Sequence, residues 1–522
     1  MWAMSTWRRW FALGVCASAF AVPAVTLTAR GGGTRDAAER AVRRRTATAA
    51  GAKPPAGAVV LAIGGGPSGR VIPGGFVGLS VEYPALEAYA GTSPAALDPV
   101  FVQLIRNLAP GQAPVLRIGG DSTDWTWWPI AGMRRPAGVN YTLTPDFVGV
   151  LHALAATLGA RLILGVNLEA DSAAVATAEA RALVAGVGRS QIEGLELGNE
   201  PELYAVFDWD GSGRKGRARG YDFGDYNDDV LRVGGGLKLA PLAGPAIGAP
   251  GWFGHLGPFL SSHPRVAVAT LHRYPLQLCY VNPREPNYPT IAHLLSARST
   301  RGLANSVATS VMVARAHGIP LRIDEMNTIS CGTDNGVGRS FASALWALDA
   351  LFEMARVGVD GVNIHTYPGA TYALFSFSSV GGAWQAAVEP EYYGLLMFTQ
   401  AAPHGSRLEN VSETDGGQVQ AWATRAPGGT VRVLAINDGD RARTIAFRLA
   451  EPHGAGTLER LTAPALTSRS GVTLGGQSFG SSTTTGLLAG PQRTVTVAPS
   501  GGLYEFRAPA ASADLVTISR RR

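Results

Sequence analysis

Cysteine is nearly missing from this chain: 522 residues contain three, Cys16, Cys279 and Cys331. The nine histidines are scattered and form no Cys/His cluster with ligand spacing, so neither a zinc-type metal site nor a disulfide-rich scaffold is expected. The glycine-rich turn GGGPSG lacks the Lys-Ser/Thr that completes a phosphate-cradling loop, and no other motif calls for a cofactor. Charge is also scarce, at 16% of residues, and lysine is sparse. The formal net charge of +6 belongs to the tails. Residues 1–55 hold nine Arg or Lys against Asp36 and Glu39, and Arg520, Arg521 and Arg522 end the chain, which leaves −4 for the body between them. A basic total therefore gives no argument for a nucleic-acid partner.

What is present is a globular composition, 46% hydrophobic, in a chain too long for one ordinary domain. Residues 1–30 read as an export signal, with Arg8 and Arg9 before an uncharged stretch, and TWRRWF loosely resembles a twin-arginine signal. The competing reading is a retained membrane anchor, since about 20 apolar residues span a bilayer. With export the mature protein has no membrane span and is extracellular. Residues 31–55, rich in Arg, Ala, Gly and Thr, cannot bury a core and read as a disordered linker. Residues 56–75 contain the apolar run VVLAI, a strand that precedes the next unit and needs a sheet to join.

From 76 to 399, near-continuous apolar strands alternate with amphipathic helices, the signature of a parallel sheet covered on its outside. Eight strands are expected: FVGLSVEY (76–83), PVLRIGG, RLILGVN, IEGLELG, a fifth around Leu242–Ile247, VAVATLH, PLRIDE and GVNIH. Helices are expected at 94–108, with Ser93 as N-cap and Pro94 in first position, at 144–158, and at 340–357. The fold class is α/β, a (β/α)8 TIM barrel followed by a C-terminal antiparallel β-sandwich over 400–522. There short alternating runs such as QVQAWATRA, TVRVLAIND, RTIAFRLA, TVTVAPS and LYEFRAP are separated by turn residues.

Two acidic strand ends stand out. In GLELGNEPELY, Glu200 follows the apolar strand Ile192–Leu197, and Pro201 stops that strand because it cannot donate to a ladder. In PLRIDEMN, Glu325 follows the apolar residues 321–323. The interval between them holds about three βα units of roughly 40 residues, so strands four and seven are the natural assignment, and barrel closure sets the two glutamates face to face. A glycosidic bond breaks when one carboxylic acid protonates the leaving oxygen and a second carboxylate attacks the anomeric carbon. Arg117, at the end of strand two, is placed to keep Glu325 ionised or to serve as a barrel-internal ion pair.

In order along residues 76–398, the strings GLSVEY, LRIGGDSTD, LELGNEPELY, LHRYP, IDEMNTISCG, ASALWALDALFEMARVGVDGVNIH and EYYGLLMF resemble glycoside hydrolase family 79, which contains β-glucuronidases and heparanases. The resemblance implies a retaining mechanism with Glu200 as acid/base and Glu325 as nucleophile. It implies that Asn199 bonds the sugar 2-hydroxyl, that Tyr274 of the pair His272/Tyr274 donates to the nucleophile, and that Glu82 and Asp121 meet sugar hydroxyls, where each otherwise reads as a helix or loop cap. It assigns the glucuronate carboxylate to the backbone amides of Cys331 and Gly332 and to Tyr372, with Tyr367 second. The glycine-only loop of heparanases is replaced here by SCGTDNG, which brings Asp334 near the anion. Cys279 and Cys331 follow neighbouring strands six and seven, and a disulfide between them is expected in an exported protein. The implied partner is a glucuronide-containing carbohydrate. Alternatives are an endo-acting, heparanase- or hyaluronan-type enzyme, which would favour basic cleft rims, and a non-catalytic cell-surface carbohydrate-binding protein, against which both glutamates speak.

Overall fold

A computed structural model describes residues 52–520 except 65–68, 280, 333–334, 414–418 and 452. The expected signal or anchor, most of the expected linker, and Asp334 lie outside the described residues. Among those described, no helix is long and apolar enough to cross a membrane.

Eight strands, Val77–Val81, Val115–Ile118, Arg161–Val166, Ile192–Leu197, Leu242–Ile247, Val266–Arg273, Leu321–Met326 and Gly361–Thr366, close into a barrel in chain order. Every neighbouring pair is parallel, including the first with the eighth. Strand five is the least legible in sequence for a visible reason. It contains Pro245, which has no amide to donate, and its pairing with strand six slips register twice.

Two local expectations are corrected. The first strand ends at Val81 rather than at residue 83. Tyr83–Ala90 is a helix instead, with Pro84 in its first turn and Leu86 and Tyr89 turned inward. The helix expected from Pro94 begins at Pro99, because Asp98 is the stronger cap: its carboxylate accepts the Val100 amide at 2.8 Å. The helix after Thr144 is as expected, Pro145–Leu158, with the Thr144 hydroxyl accepting from Phe147 N at 3.1 Å.

The helix Phe341–Val357 is buried from 341 to 355 on every side, although its sequence suggests a single apolar face. The reason is a second neighbour. Phe352 stacks on Trp422 of the C-terminal module at 5.3 Å, and the Trp422 indole donates to Asp349 at 2.8 Å.

That module is two sheets. In one, Val59–Ile63 lies between Val411–Glu413, antiparallel, and Arg443–Leu449, parallel, with Tyr504–Ala508 beyond. The early strand thus joins the sandwich, and its parallel pairing is the exception to the antiparallel pattern expected. The other sheet runs through Gln420–Arg425, Val431–Asn437, Ser512–Ile518 and Gly456–Thr462. Val59, Leu61 and Ile63 share one core with Val433, Ile445, Phe447, Phe506 and Val516, the outcome of period-two alternation.

Candidate active site

Strand four ends at Leu197 and the chain turns sharply to present Glu200. Gly198 has φ 76°, and a Cβ there would lie 2.2 Å from the Tyr204 hydroxyl, so only glycine fits. Glu200 itself is in the left-handed region at φ 45°, a conformation that is strained for a residue with a Cβ. Its amide is anchored to Ala246 O at 2.9 Å, and its side chain stays 21% exposed at the barrel mouth.

Glu325, within strand seven, is buried. Its Oε2 receives Arg117 Nη1 at 2.5 Å and its Oε1 the Tyr274 hydroxyl at 2.8 Å. His272 Nδ1 stands 3.0 Å from Glu200 Oε1 and 3.9 Å from Glu325 Oε2. One carboxylate oxygen of each glutamate and a ring nitrogen of His272 lie within 4.8 Å of one another. Burial alone would push the Glu325 carboxyl up. The positive potential of His365, His272 and Arg117 and the Tyr274 hydrogen bond outweigh it and hold the group far below the usual carboxylate range.

Below this pair the barrel interior is ionic. Arg117 is fully buried and its guanidinium reaches Glu196 at 2.8 Å, Asp324 at 3.3 Å, Glu325, Ser80 at 3.3 Å and Asn199 Oδ1 at 2.8 Å. One side chain thus both pairs with Glu325 and serves as a barrel-internal ion pair with Glu196 and Asp324. Glu196, His272 and Asp324 also have donor atoms within 4.8 Å of one another, a spacing that could suit a cation. The guanidinium of Arg117 already supplies that cation. Burial disfavours the His272 charge and the nearby carboxylates, Glu325 first, more than restore it, raising the imidazole to about 10. Burial and the neighbouring Glu196 push Asp324 up, while Arg117 holds Glu196 ionised against its own burial.

The other sequence-predicted residues gather at the same mouth with different commitments. Asn199 donates to the exposed Asp121 at 3.1 Å while accepting from Arg117. Glu82 is taken up as a loop cap. It accepts the amides of Asp121 at 3.2 Å and Ser122 at 2.9 Å and the Ser122 hydroxyl, with His365 Nε2 at 3.3 Å. The Tyr274 hydroxyl, whose one proton goes to Glu325, lies 3.4 Å from the Tyr372 hydroxyl, and the rings of Tyr274, Tyr372 and Tyr367 cluster beside Glu325. A disulfide joins Cys279 to Cys331 and so ties the loop after strand six to the loop after strand seven. Gly332 has φ 100°, and a Cβ there would lie 2.4 Å from the Leu278 side chain.

Sequence reasoning passed over several residues that build the site. Asp124 accepts from Leu168 N, Glu169 N, Asn199 N and the Tyr204 hydroxyl at 2.7–3.0 Å, and so fixes the turns after strands two, three and four to one another. Glu202 accepts the amides of Gly248 and Ala249 at 2.5 and 2.6 Å, bolting the loop after strand five against the Glu200 turn. Glu196 and Asp324 had a readable signal: charges inside apolar barrel strands, each requiring a buried counter-charge such as Arg117.

Similar proteins give the arrangement a context. No curated protein matches the chain. Among solved structures, a 4-O-α-L-rhamnosyl-β-D-glucuronidase from Fusarium oxysporum 12S, in complex with Rha-GlcA, superposes with TM-score 0.65 at 21% identity, over 88% of this chain and 100% of its own. A GH51 arabinofuranosidase from Xanthomonas axonopodis pv. citri gives 0.58 at 15% identity over 88% and 100%. A family 44 xyloglucanase from Paenibacillus polymyxa gives 0.57 at 12% over 88% and 99%. At these identities the likeness is one of fold. The sequence match is narrower and firmer, covering residues 411–515 with the glycosyl hydrolase family 79 C-terminal beta domain. The family 79 likeness is thus one of the C-terminal domain in sequence, and the barrel before it is similar in fold to the solved structures named above.

Proposed function

We propose that this glycoside hydrolase is a retaining β-glucuronidase, with Glu325 as nucleophile and Glu200 as acid/base. One observation carries the reading: carboxylate oxygens of the two residues approach within 4.8 Å. Retaining enzymes hold the two carboxyl groups about 5–5.5 Å apart, whereas inverting enzymes need roughly 6.5–9.5 Å to admit a water. The division of labour follows from the surroundings. Glu325 is stabilised as an anion by Arg117 and Tyr274, as an attacking group must be. Glu200 is at the open mouth, where a leaving group can reach it.

Asn199, adjacent to the acid, is the partner for the sugar 2-hydroxyl. Its amide is oriented by Arg117 and Asp121, so the contact is preformed. For the substrate carboxylate we assign Tyr372, with Tyr367 second, and the amides of Cys331 and Gly332, on a loop held in place by the disulfide. The glucuronide named for the Fusarium enzyme supports this substrate class. The test compares p-nitrophenyl β-D-glucuronide with the matching β-D-glucoside, using Glu325→Gln as control. Hydrolysis of the glucuronide with retained anomeric configuration is expected. Hydrolysis of the glucoside alone removes the substrate assignment, and unimpaired activity in Glu325→Gln removes the mechanism.

A further inference from the structure

Retaining hydrolysis moves a negative charge between the two glutamates. In the first step the Glu325 carboxylate forms a bond to the anomeric carbon, the bond to the leaving oxygen breaks with its electron pair going to that oxygen, and the oxygen takes the Glu200 proton. Glu325 becomes a neutral ester and Glu200 a carboxylate. Water then reverses the exchange: Glu200 takes a proton from it, its oxygen bonds the anomeric carbon, and the C–O bond to Glu325 breaks with its electron pair returning to that carboxylate. A cation close to only one glutamate would favour one step at the expense of the other.

His272 Nδ1 is close to both, at 3.0 Å from Glu200 and 3.9 Å from Glu325. What keeps the ring there is beneath it. Asp324 Oδ1 lies 3.6 Å from His272 Nε2, and Asp324 and Glu196 are both wholly buried. Glu196 is further fixed by Arg117 Nε at 2.8 Å and the Thr270 hydroxyl at 2.6 Å. We propose that Glu196 and Asp324, with one proton shared between them, are positioning residues that act through His272 to hold a single cation between the two catalytic carboxylates throughout the reaction. This rests on the retaining reading of Glu200 and Glu325 given above.

The groups facing His272 come from three strands: Glu196 and the Glu200 turn from strand four, Asp324 and Glu325 from strand seven, and Arg117 from strand two. Arg117 repels the imidazolium, so the two carboxylates that carry charge in the resting enzyme, Glu325 and Glu196, must more than compensate. Of the buried pair, Glu196 carries the charge, because Arg117 Nε is nearer to it, at 2.8 Å against 3.3 Å, and Asp324 carries the proton. The two are therefore not equivalent. Converting Glu196 to an amide removes a charge. Converting Asp324 to an amide replaces one hydrogen-bond donor to Glu196 with another.

The test follows the imidazole signals of the intact, histidine-labelled protein by NMR from pH 4 to 9, with His272 identified by its loss in His272→Gln. In the wild type, His272 is expected to stay doubly protonated to pH 8 or beyond, in keeping with its rise to about 10. Glu196→Gln is expected to release that proton at least two pH units earlier, and Asp324→Asn to leave it within half a unit. If Glu196→Gln fails to fold, Thr270→Val removes the neutral hydrogen bond to Glu196, along with the acceptor of the Ala246 amide, and is expected to shift release in the same direction by a smaller step. In kcat/KM on the glucuronide, loss of the cation removes a positive charge beside both glutamates, and the alkaline limb should move up by about one unit in Glu196→Gln and stay in place in Asp324→Asn.

A wild-type His272 neutral at pH 6, a signal unmoved by the Glu196 change, or equal effects of the two amides overturns the proposal. The NMR reading uses no substrate. The expected histidine behaviour without glucuronide hydrolysis would remove the function proposed above and leave this arrangement standing, and hydrolysis with a neutral His272 would do the reverse.

Discussion

The barrel and the C-terminal sandwich fill their interiors in opposite ways. Inside the sandwich, Val59, Leu61, Val433, Ile445, Phe447 and Val516 meet without a charged group among them. Inside the barrel, Arg117, Glu196, His272, Asp324 and Arg322 are all buried, and the apolar plug is only Val115, Ile163, Ala243 and Val268. A buried ionic network is a poor way to gain stability, since desolvation offsets most of the attraction. Its extent in the barrel, against the one buried carboxylate Asp514, paired with Arg460 at 2.7 Å, among the described residues of the sandwich, points to the barrel as the unit that carries the chemistry.

Four changes would sharpen or break that contrast. The largest expected effect is on Glu325→Gln, which should lower kcat for the glucuronide by at least about 10,000-fold, as loss of a covalent nucleophile does. Assays at enzyme concentrations high enough to detect the residue would check this. Arg117→Met strands several carboxylates in the barrel and should cost about 3–5 kcal/mol of stability, read by urea denaturation, as well as the activity. Phe447→Ala, in the sandwich core, should cost roughly 3–4 kcal/mol by the same measurement and yet leave kcat per folded molecule within about twofold. If it abolished turnover in folded protein, the division of labour would be wrong. Tyr274→Phe is the mildest. Its hydroxyl favours the charged form of Glu325, so its loss raises the Glu325 pKa, and the acidic limb of kcat/KM should move to higher pH by about one unit.

The same contrast explains what could be read from the sequence. Period-two alternation in the sandwich and continuous apolar strands in the barrel are direct consequences of burial on one face or two, so both architectures were legible. The strand ends bearing Glu200 and Glu325 were legible because Pro201 and the change from apolar to acidic residues mark them. Strand five resisted because Pro245 breaks its pattern. Asp98 outcompeted Ser93 as a cap, which depends on which carboxylate meets an amide and cannot be settled by residue type alone. Glu196, Asp324 and Asp124 went unnoticed because their function is relational. Nothing in the sequence around Asp124 states that four donors from two later turns converge on it.

The strand Val59–Ile63 has a consequence for how the molecule is made. It leaves the ribosome before any of the barrel, and its partner Arg443–Leu449 follows nearly four hundred residues later. At about 5–20 residues per second, that is a wait of roughly 20–80 s with an open β-edge. Every barrel strand is therefore synthesised before that edge can be paired, and the sheet holding Val59–Ile63 is among the last parts of the molecule to be completed.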